Sequence, residues 1–92
     1  MEGATFEREF TEEMRARRAT LSVWGNGPGD RYAPHTHGYH KVLLCLEGSI
    51  VFHTPDGDVA LAAGERLDLA PGTEHSATVG AEGVRCAEAH LP

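Results

Sequence analysis

The segment His35-Thr36-His37-Gly38-Tyr39-His40-Lys41 carries the residues best suited to chemistry. On an extended strand, side chains two apart share a face. His35, His37 and Lys41 would then point together into one cavity. Two imidazoles on one face are a metal-ligand pattern. Lys41 is the only lysine of the chain, and it stands where a metal site would ordinarily use a carboxylate. His40 has the opposite parity and should face away. Tyr39 shares the inward parity, where it would line the cavity mouth or pack in the core. His53 precedes a turn and His90 lies two residues from the C-terminal Pro92, so both read as surface or lightly packed residues.

The elements that must position these residues are short strands. Glycine, proline and aspartate punctuate the chain from Tyr32 on. The expected strands are 20–24, 41–46, 49–54, 59–62, 66–69, 75–79 and 84–89. Residues 41–46 are apolar on both faces, as in a barrel or sandwich core. Pro55-Asp56-Gly57-Asp58 is a hairpin signal. Thr11 followed by Glu12 and Glu13 predicts a helix start, with a short helix running to about Arg18. Turn signals this regular, with no long helix, predict an all-β sandwich or barrel. Trp24 and Tyr32 flank the loop that leads to the first histidine and are expected to pack the barrel end.

The 92 residues fit one domain. A chain of this size buries only about 60–65% of its unfolded surface, so a homodimer is expected. The formal charge of −6 argues against a nucleic-acid partner. Arg15, Arg17 and Arg18 read as the solvated face of a helix. Cys45 and Cys86 lie in apolar runs with no C-x-x-C pattern, which predicts buried thiols rather than a zinc knuckle. No apolar leader opens the chain and no stretch is long enough to span a bilayer, so a cytoplasmic protein without a membrane partner is expected.

Two groups of spacings stand out. The first is Gly29, five residues, His35-x-His37, three residues, Lys41, six residues, Gly48. The second is Gly64, then Pro71-Gly72, two residues, His75. They resemble the paired motifs of the cupin superfamily, G-x5-H-x-H-x3-E-x6-G and G-x5-P-x-G-x2-H-x3-N, over residues 29–79. The first motif departs only at Lys41, which replaces glutamate. In the second, Pro71 is displaced by one position and Val79 replaces asparagine. The resemblance implies a small single cupin (jelly-roll-like) β-barrel at 25–92, preceded by a helix-and-strand arm at 1–24. It implies that His35, His37 and His75 bind a divalent metal. Imidazole suits Zn, Fe, Ni, Mn or Cu, and three histidines leave positions open for water or ligand.

Lys41 then has three possible roles. It pairs with an acid, it serves as a neutral base or Schiff-base nucleophile, or it prevents tight metal binding. Cys86, Glu88 and His90 alternate on the last strand. Glu88 is therefore expected to pair with Lys41 in or beside the cavity, or to supply the missing carboxylate, against the alternative of an exposed acid on an edge strand. The resemblance implies either a metal-dependent oxygenase, isomerase or lyase, with Lys41 and Glu88 as catalytic residues, or a non-catalytic barrel for a small-molecule ligand. Standalone barrels of this size also resemble the sensor half of some regulators.

Overall fold

The computed structural model describes residues 2–92. It contains one helix, α1 (Glu2–Ala16), and six strands: β1 (Thr20–Asn26), β2 (Arg31–His35), β3 (His40–Thr54), β4 (Gly57–Ala62), β5 (Arg66–Leu69) and β6 (His75–Leu91). The strands form one antiparallel sheet ordered β1-β6-β3-β4, with β2 also on β6 and β5 also on β3. This is the expected all-β barrel with an N-terminal helix.

The long strands β3 and β6 are the frame. They were expected as four separate strands, broken at Glu47-Gly48 and at 80–83. Each is instead one strand that bends. The β3·β6 register shifts between Cys45 and Glu47 and again between Gly48 and Ile50, so the glycines mark bulges rather than turns. Gly48 has φ 74°, and a Cβ there would sit 2.0 Å from the Gly83 carbonyl oxygen. Only glycine lets the two bends cross so closely.

The bent strands are buried on both faces. Leu43, Cys45, Ile50, Phe52, Ala77, Val79 and Cys86 fill the barrel interior. Val42, Leu44, Leu46, Ala87, Ala89 and Leu91 point outward, where α1 covers them with Phe10 and Met14. That double burial explains why residues 41–46 read as apolar on both faces.

The helix departs from expectation at its start. Thr11 is mid-helix, not a cap, because Phe6, Phe10 and Met14 recur every four residues and form one apolar stripe. The charged residues around Thr11 mask that stripe in the sequence. Among the described residues, the ion pairs Glu13–Arg66 at 2.9 Å and Glu7–Arg85 at 3.1 Å pin α1 to the barrel. Gly64, at φ 89°, lies under the Phe6 ring, which a Cβ would meet at 2.7 Å. The helix ends at Ala16, and Arg18 follows in the left-handed region at φ 61°.

Candidate metal centre

Three elements deliver the histidines. His35 closes β2, and His75 opens β6 directly opposite it in the β2·β6 register. His37 lies in the loop after β2, so its position does not come from strand alternation as expected. A backbone hydrogen bond from Gly72 N–H to the His37 carbonyl, 2.8 Å, ties that loop to the turn before β6. The three rings nevertheless converge. Their centroids are 4.3 Å apart for His35–His75, 4.9 Å for His35–His37 and 5.3 Å for His37–His75. One ligand atom from each lies within 4.8 Å of the other two.

Each ring is held by its Nδ1. His35 Nδ1 donates to the Ala33 carbonyl at 2.6 Å, and His75 Nδ1 donates to the Thr73 carbonyl at 3.0 Å. A carbonyl only accepts, so both rings carry their proton on Nδ1 and turn an Nε2 lone pair inward. His37 Nδ1 meets the Tyr39 hydroxyl at 3.0 Å. The Nε2 atoms of His37 and His75 are buried without a hydrogen-bond partner. Buried polar nitrogens are rarely left so. Burial holds both imidazoles below the ordinary histidine pKa, with the nearby Lys41 charge acting in the same direction. Both are therefore neutral near pH 7, the form that binds metal.

The histidines open into a cavity of about 270 Å³, whose wall also includes Trp24, Tyr32, Lys41, Phe52, Ala77 and Glu88. Lys41 and Glu88 form the expected ion pair, Nζ to Oε1 at 3.0 Å, with 11% and 12% of their side chains exposed. Glu88 is not an edge-strand acid facing water. Nor does it join the histidine nitrogens as a substitute ligand, because three donors hold it elsewhere. Oε1 accepts from Lys41 and from Trp24 Nε1–H at 3.0 Å, and Oε2 accepts from His90 Nε2 at 2.5 Å. Burial alone would raise its pKa. The hydrogen bonds from His90, Lys41 and Trp24 outweigh it and bring the carboxyl below its usual value.

Trp24 and Tyr32 pack against the interior cluster. They line the cavity as an edge-to-face pair, 5.5 Å between centroids. Trp24 pairs with Cys86 in the β1·β6 register, which turns its indole toward Glu88 two residues on. His90 is lightly packed, 30% exposed: it stacks on Tyr39 at 4.2 Å and bonds Glu88. The alternation Cys86-Glu88-His90 was the signal for its inward face. His40 does face away, toward Asp68 at 4.0 Å. His53 lies apart from the centre, between Asp58 at 2.8 Å and Thr78 at 3.0 Å. Cys45 and Cys86 are buried free thiols facing each other across β3·β6, and burial pushes Cys86 up to about 12.

The family model of the AraC-like ligand binding domain matches residues 25–89, which contain all three histidines, Lys41 and Glu88. The chain belongs to that family. Solved structures similar to this AraC-like barrel are cupins and proteins of unknown function. A protein of unknown function from Rhizobium leguminosarum bv. viciae is 23% identical, with a TM-score of 0.75 over 80% of this chain and 70% of that one. A cupin-2 domain protein from Shewanella frigidimarina is 19% identical, with a TM-score of 0.69 over 80% and 71%. A conserved double-stranded β-helix protein from Klebsiella pneumoniae is 26% identical, with a TM-score of 0.71 over 80% and 67%. The AraC-like barrel thus has the fold of the cupin structures. No curated protein matches it. Among the described residues, no helix is long and apolar enough to cross a membrane.

Proposed function

We propose that this barrel binds one divalent transition metal through His35, His37 and His75, and that the ion anchors a small organic ligand in the adjoining cavity. The observation that carries this reading is the pair of buried, partnerless Nε2 atoms on His37 and His75. The Nδ1 contacts of all three rings are the outer-shell support that metal-bound imidazoles use. The donor set fits an ion that accepts neutral nitrogen. His35, His37 and His75 would hold such an ion, their ligand atoms already lying within 4.8 Å of one another. When bound, the ion would act as a Lewis acid toward a ligand oxygen. The chain's own residues would place the ligand against Trp24, Tyr32 and Phe52 and shield it from water.

One observation favours a second, catalytic reading as a metal-dependent oxygenase, isomerase or lyase. Lys41 and Glu88 form an acid–base pair in the wall of the same cavity. Ligand binding stands first because Glu88 is saturated by three donors.

Elemental analysis of protein purified without an affinity tag tests the proposal. About one metal per chain is expected, and His35→Ala and His75→Ala should each abolish it. A wild type that stays metal-free after reconstitution with Zn, Mn, Fe(II), Ni and Cu would overturn it.

A further inference from the structure

The Lys41–Glu88 pair bears on what the cavity takes. Its consequence rests on the metal reading above. The three-histidine cluster includes no carboxylate, so its protein ligands are all neutral. In the motif that residues 29–48 resemble, a glutamate stands where this chain has Lys41. The positive charge of Lys41 is balanced by Glu88 at 3.0 Å, so the pair as a whole adds none. A divalent ion here would sit in a pocket whose wall, beside the Lys41–Glu88 pair, is Trp24, Tyr32, Phe52 and Ala77. Unbalanced charge is costly in such surroundings. A ligand carboxylate would supply compensating negative charge.

Lys41 adds a second contact. An ammonium carries three N–H donors, and the Glu88 carboxylate is the acceptor it meets. Donors remain for a ligand oxygen, and Lys41 lines the cavity alongside the histidines. Glu88 cannot turn away from Lys41 to meet the ligand, because Trp24 and His90 hold it. We propose that the cavity takes a small carboxylic acid with a flat apolar body, its carboxylate between the three-histidine ion and Lys41 and its body against Trp24, Tyr32 and Phe52. In this role Lys41 is a binding residue for the ligand's carboxylate, replacing a carboxylate that the protein would otherwise supply itself.

The probes are benzoate, the uncharged benzamide of the same shape, and acetate, which lacks the apolar body. Each is titrated calorimetrically into zinc-loaded protein whose zinc content is measured on the same sample. Benzoate should bind at least about tenfold tighter than either of the others. Lys41→Met should narrow the benzoate-to-benzamide ratio to within about threefold, whereas Lys41→Arg should largely preserve it. The comparison on wild-type protein stands even where Lys41→Met fails to fold. Equal binding of benzoate and benzamide by zinc-loaded wild type would overturn this inference alone. Acetate binding as tightly as benzoate would overturn the apolar-body part. Wild type that holds no zinc would overturn the metal reading and this inference with it.

Discussion

Lys41 Nζ lies 3.0 Å from Glu88 Oε1, across the ladder of the two longest strands. Lys41 is the register partner of His90, and Glu88 is two residues before it, on the same face. The barrel thus carries a lysine where a ligand carboxylate is expected, with an acid placed diagonally opposite to hold its charge. Glu88→Gln should destabilise the protein by about 3–5 kcal/mol, because it leaves a buried ammonium uncompensated. Urea denaturation measures the loss. The double variant Lys41→Met/Glu88→Gln should recover much of it, since removing both charges leaves neither unpaired. A Glu88→Gln protein as stable as wild type would show that the pair contributes nothing to the fold.

The same carboxylate sets an acid limit. Burial alone would raise the Glu88 pKa, but the hydrogen bonds from His90, Lys41 and Trp24 bring it below 4.5. A folded value below the unfolded one means that the unfolded chain binds the proton first. The stabilisation is therefore complete above about pH 4.5 and is lost as pH falls through the folded value. Melting temperatures measured from pH 7 to 3 should fall more steeply below that point for wild type than for Glu88→Gln. Parallel curves would contradict the assignment.

Tyr39 acts through His37. Its hydroxyl meets His37 Nδ1 at 3.0 Å while its ring stacks on both His37 and His90. Burial holds the phenol above its ordinary pKa, so it remains a neutral hydrogen-bonding group. Tyr39→Phe keeps the stacks and removes only the hydroxyl. Zinc affinity, measured by competition with a chromogenic chelator, should fall by about 10- to 100-fold. The melting temperature of the metal-free protein should change little. Unchanged affinity would reduce Tyr39 to a packing residue.

Cys45 and Cys86 should be inert. Both are fully buried, and Cys86 is pushed up to about 12 by burial and by its neighbours Cys45 and Glu88. The thiolate is the reactive form. Ellman's reagent at pH 8 should label neither thiol in folded protein and both in denaturant. Rapid labelling of the native protein would contradict the burial of this pair.

The barrel and its histidines were legible because they rest on local spacing. Gly48 and Gly64 are fixed by close approaches to Gly83 and Phe6, and His75 follows Gly72 by a short turn. Such constraints leave a mark in a linear pattern. What was not legible depends on contacts between distant strands. Trp24 meets Glu88 through a pairing of β1 with β6, 64 positions apart. His90 is placed by the Tyr39 ring and Glu88, contacts that its reading as a surface or lightly packed residue did not include. The helix start was misplaced because Thr11 offers good cap chemistry, while the Phe6-Phe10-Met14 stripe gains its meaning only against the outward faces of β3 and β6. The Lys41–Glu88 pair was readable only in part: alternation puts Lys41 on the face of Leu43 and Cys45 and Glu88 on the face of Cys86, and the pairing of β3 with β6 brings the two together.

The most direct test of the metal centre is an anomalous difference map from crystals grown with zinc, recorded on both sides of the zinc edge. The account predicts one dominant peak within bonding distance, about 2.1 Å, of nitrogen atoms from His35, His37 and His75. A map with no peak there, or with its main peak at His53 or His40 instead, would contradict it.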